Sequence, residues 1–161
     1  MRRVLPFIVL LGAVAALVVS QAQPGGDSSS GASVTRVVDG DTIEVRLDGR
    51  LEKVRLIGVD TPESVKPGTP VECFAKAASA ETQRLVDGRR VTLRYDAERR
   101  DRYGRLLAYV YRDGVFVNAS LVEDGYARTL TIPPNVAHAD EFARLTREAR
   151  EDRRGLWGAC R

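Results

Sequence analysis

Three short runs of β-branched and aliphatic residues, 34–38, 41–47 and 51–58, follow one another with only "DGD" and "DGR" as separators. Each run has the length of a strand, and each separator is a turn signal built on Asp and Gly. Strands this closely spaced read as consecutive antiparallel neighbours, because a parallel connection needs a crossover of a dozen or more residues. The folded part of the chain therefore begins with a three-stranded meander.

The remainder adds helices and two further strands. After "SVKPGTPVE", a loop with two prolines and a glycine, "CFAKAASAETQRLV" places Phe74, Ala77, Ala78, Glu81 and Leu85 at helical spacing and stops at "DGRR". Strands are expected at "RVTLRYD" (90–96) and "RLLAYVYR" (105–112), bridged by the charged segment "AERRDRYG". Val117, Leu121 and Val122 mark a short second helix ending at Gly125. Phe142, Leu145 and Ala149 form the apolar stripe of a third helix over 138–153, after which Leu156 and Trp157 pack the chain end onto the body. Five strands interrupted by a helix describe a small β-barrel with helices, an α+β arrangement best matched by a five-stranded OB-fold barrel with three α-helices.

The 161 residues allow one such domain plus extensions. "MRR", the 16 apolar residues "VLPFIVLLGAVAALVV" and the small-x-small "SQA" read as a secretory signal peptide over 1–22, cleaved after Ala22. The apolar run is slightly short for a membrane span, so an uncleaved anchor is the lesser alternative. Residues 23–33, rich in Gly and Ser, read as a flexible linker, and 34–161 as the folded domain. The expectation is a secreted or extracytoplasmic monomer with no stable membrane association once the signal is removed. Cys73 and Cys160 offer a single intramolecular pairing, and in an oxidising compartment a disulfide is expected. His138 is the only histidine, which argues against zinc and against histidine-based catalysis.

Net charge adds little. The chain has 25 basic and 22 acidic side chains, or 23 against 22 once Arg2 and Arg3 leave with the signal, so bulk attraction to nucleic acid is weak. Position matters more. Asp41 opens the second strand, Arg55 lies within the third, Asp60, Thr61 and Glu63 follow it directly, and Arg105 opens the fifth. Strand ends can converge at one end of a barrel. Two carboxylates, a backbone carbonyl and a further glutamate form a hard, oxygen-only environment suited to Ca2+. Two guanidinium forks beside them match phosphate oxygens, and together these groups describe a phosphodiester site.

"VDGDTIEV", "VRLIGVDTPES", "DRYGRLLAYVY" and "GLW" resemble, in order and at similar spacing, the staphylococcal nuclease (thermonuclease) family across nearly all of residues 34–157. The resemblance implies a five-stranded OB barrel with three helices and Ca2+-dependent cleavage of DNA and RNA, single-stranded or unstructured, leaving 3′-phosphate ends. By motif it implies Asp41 and Asp60 as the Ca2+ carboxylates and Thr61 as the carbonyl ligand. It further implies Glu63 as the general base, Arg55 and Arg105 as the phosphate-binding pair, and Tyr103 as a substrate-side aromatic. Arg99, Arg100 and Arg102 read equally as a solvated face or as contacts to the substrate backbone, and Arg102, beside Tyr103, is carried as a substrate-binding candidate.

The chain departs from the family pattern at "RTLTIPPN", where Thr129, Thr131 and Ile132 stand in a segment one residue shorter and without tyrosine, and at a shorter, lysine-poor "SVKPGTP" loop. Asp39 reads as a turn former, with support of the neighbouring Asp41 as the lesser alternative, His138 as a helix start, Trp157 as core, and Tyr95, Tyr109 and Tyr111 as barrel residues. A non-catalytic secreted nucleic-acid-binding OB module is the alternative from another class, but every matched metal and base residue is present.

Overall fold

A computed structural model describes residues 29–64, 68 and 70–160; the signal peptide expected over 1–22 and linker residues 23–28 lie outside them. In chain order the elements are β1 (Ser29–Asp39), β2 (Thr42–Leu47), β3 (Arg50–Leu56), β4 (Gly58–Asp60), α1 (Ala75–Val86), β5 (Arg90–Arg94), β6 (Leu106–Arg112), β7 (Val115–Phe116), α2 (Val117–Glu123), β8 (Arg128–Leu130), α3 (Ala139–Glu151) and α4 (Leu156–Ala159).

The opening meander forms as its pattern predicts. β1 to β3 are antiparallel neighbours, with Val34 opposite Val45 and Ile43 opposite Val54, all four buried. The two Asp-Gly turns work for different reasons. Asp48 and Gly49 both have positive φ, 49° and 80°, as a two-residue hairpin turn requires. Gly40 instead has no room for a side chain, since a Cβ there would lie 2.7 Å from the Thr61 side chain.

β6 closes the barrel. It pairs antiparallel with β5 and parallel with β3, Arg55 lying opposite Leu107, while β5 pairs with β1. The ring β1-β2-β3-β6-β5 is the expected five-stranded closed barrel, with α1, α2 and α3 around it. Val45, Val54, Leu93 and Val110 are wholly buried within it. α2 contributes Val117, Leu121 and Val122 and α3 contributes Phe142, each at most 1 % exposed, so the helices share the barrel's core rather than decorating its surface.

Three expectations are corrected. Residues 29–33, expected within the linker, are strand: Ser29 to Ser33 pair with Arg94 to Arg90, and Ala32 is buried. Small residues with weak strand propensity are held here by the neighbouring edge of β5, a long-range pairing that local composition does not reveal. The run 51–58 is not one strand, because β3 ends at Leu56 and the chain turns at Gly58, whose φ is 78°. The first helix starts at Ala75, after Cys73 and a left-handed Phe74 at φ 71°. β4, β7, β8 and α4 have two to four residues each, too short for periodicity to register.

Cys73 and Cys160 are joined, their Cα atoms 5.9 Å apart, across a sequence separation of 87 residues. A loop of that length limits the unfolded chain's freedom by about 4–5 kcal/mol in the chain-entropy treatment, before any offset from the native state. Replacing both cysteines by serine should therefore lower the urea midpoint substantially while leaving the barrel's circular dichroism intact. An unchanged midpoint would contradict the stabilising role, and two free thiols per chain in denatured, unreduced protein would contradict the bridge itself.

Candidate active site

The site is organised by the corner that follows β3. Ile57 donates its N–H to the Ala108 carbonyl at 3.0 Å, and its own carbonyl accepts from Asn118 Nδ2 at 2.8 Å. Asn118 is wholly buried on α2, and its Oδ1 accepts the Val110 N–H at 2.9 Å, so one amide ties the corner, β6 and α2 together. A Cβ on Gly58 would stand 2.2 Å from the Phe142 ring, so only glycine fits the turn.

Arg55 spans this corner from inside. Its NH1 donates to the carbonyls of Leu56 at 2.8 Å and Val59 at 2.6 Å. That fixes the guanidinium plane and leaves NH2 directed at Asp41 Oδ2, 3.2 Å away, and Asp60 Oδ1, 3.4 Å away. Asp41 is held in turn: its Oδ2 accepts the Thr61 N–H at 3.0 Å and hydroxyl at 3.2 Å, and its Oδ1 accepts the Thr42 hydroxyl at 3.0 Å. Thr82 of α1 donates to the Gly40 carbonyl at 2.6 Å, anchoring the turn that presents Asp41.

Asp41, Thr42, Arg55, Asp60 and Thr61 line a polar chamber of about 360 Å3, joined by Asp39, Glu63, Glu72, Arg105 and Arg128. Carboxylates are crowded in it. Burial and then the neighbouring Asp41 push the Asp39 carboxyl up to about 6. Burial and then Asp41 also raise Asp60, against the opposing pull of Arg55 and Arg128. Burial is the larger cause for both, so they mark desolvated carboxylates beside a like charge, which a bound cation would offset. The donor set fits a hard divalent cation, with carboxylates from Asp41 and Asp60 and a backbone carbonyl at Thr61. Among the described residues no group of three or more His, Cys, Asp or Glu is arranged to hold a metal ion by itself.

Arg105 enters from the other side. Its Nε donates to Asp101 Oδ2 at 2.7 Å, while Asp101 Oδ1 accepts the N–H groups of Tyr103 and Arg105, both at 2.9 Å. One carboxylate thus shapes the "DRYGR" turn and aims the guanidinium. Beyond Arg55 and Arg105, which line both spaces, lies a more apolar chamber of about 550 Å3. It holds Tyr103, 68 % exposed, and Arg102, whose NH2 donates to the Tyr103 hydroxyl at 2.6 Å; Leu130 and Ile132 form an aliphatic wall.

The sequence from residue 53 to 159 matches the family described as staphylococcal nuclease homologue. The chain belongs to the staphylococcal nuclease family. It is 46% identical over 124 residues to the thermonuclease of Staphylococcus intermedius, covering 77% of this chain and 74% of that protein. It is 42% identical over 124 residues to the thermonuclease of Staphylococcus hyicus, covering 77% and 73%. With endonuclease YncB of Bacillus subtilis (strain 168) it shares 40% identity over 127 residues, covering 78% of this chain and 60% of that protein.

Six residues singled out in the sequence, Asp41, Arg55, Asp60, Thr61, Glu63 and Arg105, line the first chamber of this family member. Arg102 and Tyr103 line the second. The disulfide lies outside both but close by, since Glu72, beside Cys73, donates its N–H to the Glu63 carbonyl at 3.0 Å. Sequence reasoning missed Arg128 and Glu72 in the first chamber and the anchoring role of Asp101. Asp101 carried a readable signal, an Asp two residues before Tyr103 in a turn. Arg128 carried none, because its place depends on β8 pairing with β4.

Burial opposes the Asp101 carboxylate, yet its hydrogen bonds from Arg105 outweigh that and hold it below the usual carboxylate range. A carboxyl with a lowered folded pKa adds stability that is complete above the unfolded value near 4 and lost as pH falls through the folded value. Asp101→Asn should therefore be less stable than the parent at pH 7, with the gap closing below about pH 4. Denaturant midpoints measured across that range check it, and a constant gap would contradict it.

Proposed function

We propose that this chain is a secreted, Ca2+-dependent nuclease that hydrolyses phosphodiester bonds in DNA and RNA and leaves 3′-phosphate ends. The observation that carries the reading is the aim of Arg55: its NH2 points between Asp41 and Asp60 while Arg105 faces the same chamber. Relatives named thermonuclease and endonuclease support the same reaction class.

In this reading Arg55 and Arg105 grip the nonbridging oxygens of the scissile phosphate, where negative charge grows as water attacks. Both guanidinium groups are oriented in advance, Arg55 by two carbonyls and Arg105 by Asp101, so little reorganisation is needed at the moment of reaction. Glu63 takes the proton of the attacking water as its oxygen bonds to phosphorus, the bond between phosphorus and the 5′ oxygen breaks, and that oxygen leaves as a hydroxyl with a proton from solvent. Asp41, Asp60 and the Thr61 carbonyl would hold Ca2+, which when bound would supply positive charge to the phosphate oxygens. The nucleoside on the leaving side occupies the second chamber, with Tyr103 and Arg102 at its rim and Leu130 and Ile132 as its wall. Aliphatic contact there replaces ring stacking, which predicts weak discrimination among bases.

Export accords with the joined cysteines, since disulfides persist in oxidising compartments. The leader that would direct it lies outside the described residues, and among those residues no helix is long and apolar enough to cross a membrane. A non-catalytic binding module would not account for Glu63 lining the same chamber as Asp41, Asp60, Arg55 and Arg105, nor for the relatives named thermonuclease and endonuclease.

Asp41→Ala should abolish Ca2+-dependent cleavage while keeping the barrel's circular dichroism; unchanged turnover would remove Asp41 from the metal site. Arg55→Lys and Arg105→Lys keep charge but lose the fork, and each should lower kcat by roughly 10² or more. A loss confined to KM would reduce the arginines to binding groups.

A further inference from the structure

The two chambers meet at Arg55 and Arg105. A nucleic-acid strand with its scissile phosphate at that junction and one nucleoside in the second chamber continues over the first. Besides the groups proposed for Ca2+, that onward surface carries the Asp39, Glu63 and Glu72 carboxylates, which repel the next phosphate. Among the described residues lining the first chamber, Arg128 is the one cation beyond the junction pair.

Arg128 is exposed and stands on β8 directly opposite Asp60 of β4. Residues opposite one another in an antiparallel ladder share a face, so its side chain leaves the sheet beside the carboxylate. An arginine serving only to neutralise Asp60 would close on it. Its charge does act on Asp60, yet no hydrogen bond or ion pair among the described residues holds the Arg128 guanidinium, whereas Arg55 is anchored by two carbonyls and Asp41, and Arg105 by the Asp101 carboxylate. A guanidinium left open at a chamber that a polyanion must cross is placed to receive phosphate oxygens through its paired donors.

We propose that Arg128 binds the phosphate next to the scissile one, on the side where the strand leaves over the first chamber, and so makes the site favour polymers over isolated phosphodiesters. This rests on the nuclease reading above. Arg128 is then a substrate-binding residue that sets specificity for chain length and leaves the bond-breaking step to the junction pair and Glu63.

The test compares the parent chain, Arg128→Gln and Arg128→Lys on two substrates in Ca2+. One is single-stranded DNA of about ten nucleotides, which carries neighbouring phosphates. The other is the p-nitrophenyl ester of thymidine 5′-phosphate, which has a single phosphorus and nothing for Arg128 to hold. In Arg128→Gln the ratio of kcat/KM on the DNA to kcat/KM on the ester should fall about tenfold, mostly through KM on the DNA, as expected for one lost charge-assisted contact. Arg128→Lys should recover part of that ratio. The slope of log affinity for the DNA against log salt concentration should become shallower by about 0.7 in Arg128→Gln, the release expected per phosphate contact on a single strand. A merely structural arginine would move neither the ratio nor the slope. An unchanged ratio, or an unchanged slope, in a parent-active series overturns the assignment of Arg128 alone. Failure of the parent chain to cleave either substrate overturns the nuclease reading and this inference with it.

Discussion

The corner at Ile57 and Gly58 is the constraint on which the site depends. It is held from outside by Ala108 and Asn118, from inside by Arg55, and from above by the Phe142 ring, which leaves no room for a Cβ. Because β3 closes the barrel against β6 immediately before the corner, Arg55 is fixed by the same pairing that completes the fold. The residues after the corner inherit that position. Asp60, Thr61 and Glu63 are carried back toward the turn that presents Asp41, and the Thr61 N–H and hydroxyl lock the two segments together through one carboxylate oxygen.

Charge is arranged around this frame in opposition. Carboxylates gather where burial and mutual repulsion raise Asp39 and Asp60, and arginines enter from β3, from the turn before β6 and from β8. Such a site is poorly balanced by itself and well balanced by a cation and a phosphate together, since each supplies what the other's neighbours lack. The disulfide contributes at one remove. It staples the entrance of α1 to the chain end, and the residue before Cys73 holds the Glu63 carbonyl, so the C-terminal end helps to fix the segment that carries the base.

Much of this was legible in the sequence because it is local. The meander follows from alternation and two Asp-Gly turns, and the helices follow from apolar spacing at Leu121, Phe142 and Leu145. Asp41, Arg55 and Asp60 lie at or beside strand ends and Glu63 in the segment just beyond one, and all four line one chamber. What was hidden is what long-range pairing creates. Ser29 to Ser33 are strand only because β5 lies beside them, Arg128 reaches the site only because β8 pairs with β4, and Asn118 looks like any helix-surface asparagine until it is found buried at the corner. Gly58 reads as part of a continuous strand because nothing local announces Phe142, 84 residues later, above it.

The most direct measurement is incubation of the purified protein with single-stranded DNA in Ca2+ or in chelator, followed by analysis of the new ends. The account predicts internal cleavage in Ca2+, none in chelator, and fragments bearing 3′-phosphates and 5′-hydroxyls. Binding without cleavage, cleavage indifferent to chelator, or fragments with 5′-phosphates would contradict it.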